Sequence, residues 1–396
     1  MSTTCFADKE VMKGSATGRD VLSAVLRRER PARFAYGPNY WQWFQHQKDH
    51  GKLAPEVADC QSQFELIERL GLDVFSRNIY SDQKNYWFGG LCDVVWDGVR
   101  FEEHVRFEGA DKIIERSYHA DRGTLQERLR FVHRETTLVQ EKFLVNDPEK
   151  QLDLCFEVIR GRRWRFVPER YEKISADVGR RGVVMAGELC SPLKMLHLAF
   201  SAPETTFLLL DHPERAAELI ALHEAAQLDL VRQMALAGVP AMIAMDNLDT
   251  AFHTPEYVEQ CSASFYEKAS RICHEHGSTF FVHACGRQRA NLALIASLGV
   301  DGLEGVAFPP LGDVELDEAM RLSGERLILT GGISANQFDE LRSRREIFEY
   351  VRSLLDRLRP YAHRFVLAAS CNTPYNAPWE SILHFRDAWQ EYGALS

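Results

Sequence analysis

The stretch FFVHACGRQR, residues 280–289, sets His283 and Cys285 one residue apart, behind a run of bulky apolar residues and ahead of a glycine. Imidazole and thiol are common zinc-binding groups, and on a strand residues i and i+2 project to the same side. With 14 His and 9 Cys in 396 residues, such a pair also arises by coincidence, and two packed neighbours fit the same letters. A second thiol, Cys371, ends another apolar run, RFVLAASC (364–371). One His with two Cys makes a three-ligand zinc set that keeps one coordination position for substrate. Two thiolates and a neutral imidazole also balance the charge of Zn2+, which suits a half-buried site. At this stage a metal site and packed neighbours both stand.

Carboxyl and amide groups occupy comparable places. Glu188 ends GVVMAGE (182–188), Asp246 and Asn247 end AMIAMDN (241–247), Glu304 belongs to GLEGVAF (302–308), and Asn372 follows Cys371. Glu188, Asp246 and Glu304 can each act as a fourth zinc ligand or as a general acid or base for a leaving oxygen. Each can equally cap a helix or pair with an arginine. His274 and His276 fall at the end of an amphipathic helix, where they meet its dipole favourably and read as surface. Cys190, Cys261 and Cys273 read as small core residues. Gly331-Gly332 offers a weak phosphate-cradle signal.

The elements that must position these groups follow from periodicity. Apolar runs at 182–188, 241–247, 279–286, 302–308, 326–332 and 364–371 read as buried parallel strands, with RFAYG (33–37) and LDVFSRNIY (72–80) as two more. Between them, 213–238 and 254–277 carry apolar residues at three- and four-residue spacing and end on glycines, as helices do. About eight strands alternating with helices predict an α/β fold, a (β/α)8 TIM-type barrel forming a single domain over 1–396. Residues 93–131 alternate polar and apolar around an Asp-Arg-Gly turn and predict an antiparallel β-hairpin inserted on the barrel. In such barrels chemistry sits at the C-terminal strand ends, where the residues above fall.

The net charge of −10 argues against general affinity for nucleic acid or an anionic membrane. The N-terminal residues hold no apolar segment of signal-peptide length, and no stretch approaches the roughly 20 apolar residues of a membrane span, so the expected location is cytoplasmic. Nine scattered cysteines do not form a disulfide framework.

HACG, Gly302, Pro309-Pro310, Asp313, the LTGGI segment (329–333) and the closing SCNTPYNAPWESI (370–382) together resemble the uroporphyrinogen decarboxylase superfamily. The His-x-Cys with a distant Cys resembles its zinc-dependent, corrinoid-linked methyltransferase branch, most clearly from about residue 180 onward; GTLQERLRF (123–131) resembles a hairpin of that branch. The resemblance implies that His283, Cys285 and Cys371 bind Zn2+. It also implies that a methyl group moves between a small-molecule methyl donor or acceptor and the cobalt of a corrinoid (cobalamin). The chain lacks the Asp-x-His-x-x-Gly signature of corrinoid-binding domains, its nearest look-alike being Asp49-His50-Gly51, so the corrinoid is expected on a separate partner protein. Decarboxylases of the superfamily grip an octa-acidic tetrapyrrole with N-terminal arginines. Here RFAYGPNYWQWFQHQ holds only Arg33 before His46, which argues against that substrate.

Tyr36, Tyr40 and Trp41, with Trp43, Phe34 and Phe44, are expected to form an aromatic wall for a planar methoxylated substrate, with Asn247 and Asn372 as further contacts. The same aromatics also suit a core. Methyl transfer from an ether, as in O-demethylation, is the leading expectation. The alternatives are transfer from methylcobalamin to a thiol, a zinc site that is only structural, and metal-free decarboxylation of a smaller acid through Asp246.

Overall fold

The protein is described here from a computed structural model that covers residues 16–77, 90–341 and 343–395. In chain order the strands are β1 (Ala35–Tyr36), β2 (Cys92–Trp96), β3 (Arg100–Glu108), β4 (Asp111–Ala120), β5 (Gly123–Val132), β6 (Thr137–Lys142), β7 (Arg162–Phe166), β8 (Ala186–Leu189), β9 (Ala241–Ala244), β10 (Thr279–His283), β11 (Gly302–Val306), β12 (Ile328–Ile333) and β13 (Phe365–Ala369). Seven of them form one sheet in the order β1-β13-β12-β11-β10-β9-β8, with every neighbouring pair parallel. The expected α/β class, with parallel strands alternating with helices, is what the chain adopts.

Asp73–Val74 ties the β1 edge of that sheet to the segment that leads into β8. The Asp73 N–H donates to the Tyr36 carbonyl at 3.0 Å, the Val74 N–H to Arg181 at 3.1 Å, and the Val183 N–H to the Val74 carbonyl at 2.9 Å. Gly182 permits this contact, because a Cβ there would lie 2.0 Å from the Val74 carbonyl oxygen. The strand expected over 72–80 is thus reduced to a single bridge at Val74, while residues 78–80 lie outside the described residues.

Alternation along the strands divides the core into two layers. Ala35, Met185, Ile243, Phe281, Ile328 and Val366 form a cluster together with Val21, Leu22 and Val25 of the helix Gly18–Leu26. The adjoining Ala244, Val282, Leu303, Leu329 and Leu367 belong to the large cluster shared with the surrounding helices. Both faces are therefore buried, which is why these strands read as continuous apolar runs.

The helical pattern at 213–238 folds as Pro213–Leu236. The one at 254–277 is two helices, Pro255–Cys261 and Ala263–Glu275, broken at Ser262, whose φ of −128° leaves the helical region. The antiparallel insertion is larger than a hairpin. β3-β4-β5-β6 is a four-stranded sheet with the Asp-Arg-Gly turn between β4 and β5, but β2 turns away from β3 and pairs antiparallel with β7. Alternation indicates which face of a strand is buried and leaves its partner unspecified. No helix among the described residues is long and apolar enough to cross a membrane.

Candidate metal centre

β10 ends on His283, and the chain continues through Ala284 to Cys285; β13 ends at Ala369, two residues before Cys371. Three strands apart in the sheet, these segments bring a ring nitrogen of His283 and the two sulfurs within 4.8 Å of one another. Cys371 Sγ lies 3.5 Å from His283 Nε2. Tetrahedral zinc with bonds of about 2.0–2.3 Å holds its ligand atoms roughly 3.5 Å apart, so the donor set fits the ion in type and spacing. Among the described residues the group has three members, His283, Cys285 and Cys371.

The imidazole is fixed from behind. His283 Nδ1 lies 2.5 Å from the Glu304 carboxylate and 3.1 Å from its carbonyl oxygen, so Nδ1–H donates to Glu304 and Nε2 faces the sulfurs. Glu304 sits within β11, the strand paired with β10, with His283 directly opposite. Gly305 makes the approach possible: its φ is +89° and a Cβ there would lie 2.9 Å from His283 Cε1.

Arg77 completes the surroundings. Only 4% exposed, it pairs with Glu304 Oε1 at 2.7 Å and reaches Cys371 Sγ at 3.8 Å. The Cys285 thiol, donating to Cys371, holds the latter well below the ordinary thiol range; burial opposes this, and His283 and Arg77 reinforce it. The same hydrogen bond, with burial, pushes Cys285 up. Burial and Arg77 oppose the His283 imidazolium, but Glu304 and Cys371 raise its pKa on balance. With Zn2+ the two thiolates would cancel the ion's charge and Arg77 would cancel Glu304, leaving the buried group neutral. Arg77 was not anticipated from the sequence. The available signal was its place toward the end of the strand-like stretch 72–80, where a barrel strand carries its polar groups.

The remaining expected residues separate by environment. Asp246 is fully buried, with one carboxylate oxygen accepting from the Ser191 N–H at 2.7 Å and the other from the Tyr266 hydroxyl. Both oxygens are engaged in tying β9 to neighbouring helices, and burial raises its pKa. Glu188, 2% exposed, accepts from the Leu91 N–H at 2.6 Å, and burial pushes it up to about 7. Asn247 adopts φ +50°, a conformation asparagine tolerates. Asn372 accepts from the Asn39 side chain at 2.8 Å, linking the Cys371 loop to the segment after β1.

The residues of the expected aromatic wall are buried. Tyr36, Tyr40 and Trp41 are 2%, 1% and 1% exposed, and the tyrosine hydroxyls face each other at 3.5 Å. Trp43 stacks on Trp379 with centroids 5.6 Å apart and donates to the Ala377 carbonyl at 2.8 Å. Burial against the C-terminal segment stabilises these large rings. Arg33 is likewise occupied, in a two-point pair with Asp73 at 2.7 Å. His274 contacts Asp301 at 2.8 Å, and Cys190, Cys261 and Cys273 are buried. A Cβ at Gly331 would lie 2.4 Å from the Val306 carbonyl oxygen, so that glycine allows close strand packing.

A parallel α/β sheet carrying a His-Cys-Cys group at its C-terminal strand ends is the class that fold and site define. Residues 142–392 match the model of the Uroporphyrinogen decarboxylase (URO-D) family, and the chain belongs to that family. Its fold is similar to a solved methyltransferase from Methanosarcina mazei, with a TM-score of 0.61 at 13% identity, covering 95% of this chain and 99% of that one. A weaker likeness links it to a D-psicose 3-epimerase from Clostridium cellulolyticum H10, with a TM-score of 0.33 at 12% identity, covering 60% of this chain and 84% of that one. No curated protein matches the sequence.

Proposed function

We propose that the protein is a zinc-dependent methyltransferase that moves a methyl group between a small methylated substrate and the cobalt of a corrinoid carried by a separate protein. The observation that carries this reading is the three-membered His283, Cys285, Cys371 group. Family membership and the fold shared with the Methanosarcina mazei methyltransferase over nearly the whole of both chains support it.

Bound at these three residues, zinc would supply Lewis-acid polarisation of a methyl–oxygen bond, or deprotonation of an acceptor thiol. The chain's own groups prepare the place. Glu304 takes the Nδ1–H hydrogen bond and so reserves the Nε2 lone pair for the metal. Arg77 favours the thiolate form of Cys371. Glu188 keeps its proton up to about pH 7 and is the acid available to a leaving oxygen. Asp246, with both oxygens engaged, serves as a tie, which weakens the decarboxylase alternative.

A methyl-donor screen with reduced cobalamin as acceptor tests the reading. Methylcobalamin should appear in the visible spectrum with at least one ether. Silence across ethers, amines, thioethers and halides would count against donor-directed transfer and favour the thiol-directed alternative.

A further inference from the structure

Between the antiparallel sheets, the helix Pro148–Gly161 and the end of β8 lies a cavity of about 290 Å3, close to the lower end of small-molecule sites. Four aromatic side chains, Trp96, Phe101, Tyr118 and Trp164, line it. Trp96 stacks on Phe101 with centroids 5.6 Å apart, and Tyr118 meets Trp96 edge-on at 5.3 Å. A flat apolar ring finds here the surfaces it packs against most favourably.

Two polar residues in the wall each leave one buried nitrogen without a hydrogen bond. Arg162 lies over the Trp164 ring at 4.5 Å and reaches His223 Nδ1 at 3.5 Å; among the described residues it forms no ion pair, and its Nε is buried without a hydrogen bond. The neighbouring Arg116 is, by contrast, shared between Glu103 and Glu127. His223 is 1% exposed, and its Nε2 is buried without a partner. Burial and the Arg162 charge hold this imidazole well below its usual pKa, so it is neutral. With Nδ1 facing a guanidinium N–H, its proton belongs on Nε2, which makes that atom a donor. The other acid in the wall, Glu188, is pushed up to about 7 and adds little negative charge near neutrality. Glu127, also in the wall, places its charge near Arg162 but is bonded to Arg116 and Tyr118, so among the described residues no carboxylate pairs directly with the Arg162 guanidinium, and a ligand carboxylate would supply that direct partner.

We propose that this cavity binds a small aromatic carboxylate, its ring against Trp96, Phe101, Tyr118 and Trp164 and its carboxylate on the Arg162 guanidinium and the His223 Nε2–H. The proposal needs none of the three metal-binding candidates His283, Cys285 and Cys371, although Glu188, the acid assigned above to the leaving oxygen, borders the cavity.

Calorimetric titration of the full-length protein with benzoate, 4-methoxybenzoate and cinnamate, each beside its amide, tests it. The acids should bind at least tenfold more tightly than the amides, and Cys371→Ser should leave that preference intact. Arg162→Met should abolish the preference without lowering Tm, because it removes an unpaired buried charge. Amides binding as tightly as acids, no acid binding at all, or an undiminished preference in Arg162→Met would overturn the proposal. The acid–amide comparison uses the unaltered protein and so decides even where the variant fails to fold.

Discussion

His283 is held by Glu304 and Glu304 by Arg77, so the geometry of the proposed zinc site depends on both. Glu304→Ala removes the acceptor behind Nδ1 and should weaken zinc binding by about 10- to 100-fold, read by competition with a chromophoric chelator; affinity equal to the unaltered protein would remove Glu304 from the site. Glu188 gives a pH signature. Its folded pKa of about 7 stands above the ordinary 4.5, so the protonated carboxyl contributes stability that is full below pH 4.5 and lost as pH rises through about 7. Glu188→Gln should therefore flatten the fall of Tm across that window and recover up to about 3 kcal/mol above it, measured by thermal unfolding at stepped pH. His283, Cys285 and Cys371 were legible because their types match zinc chemistry and each closes an apolar run. Arg77 was not, because an arginine's partners lie far away in sequence and its own stretch looked like an ordinary strand.

At the level of elements, β10 and β11 must lie close enough for Glu304 to reach His283, and Gly305 sets that spacing. Gly305→Ala would place a Cβ 2.9 Å from the His283 ring at a φ of +89°. It should cost about 1–3 kcal/mol in denaturant unfolding and reduce zinc content, while full stability and zinc content would show that the approach is not needed. Parallel strands were legible because both faces are buried, which writes them as unbroken apolar runs. The partner of β2 was not, since pairing with β7 is decided by a helix that intervenes between them. Nor was the placement of the aromatics: Tyr36 and Tyr40 carry the composition of a binding wall, yet packing against Trp389 and Trp43 uses the same surfaces.

At the scale of the whole molecule, one parallel sheet, its β1 edge tied through Asp73–Val74 to the segment leading into β8, carries the His283, Cys285, Cys371 group at its C-terminal strand ends and an antiparallel insertion beside it. The central claim is that His283, Cys285 and Cys371 hold zinc needed for methyl transfer. Metal analysis of the purified protein, paired with methyl-transfer assays, tests it most directly. The account predicts one zinc per chain, with zinc and activity lost together in Cys285→Ser and in Cys371→Ser. A zinc-free protein that still transfers methyl groups would contradict it.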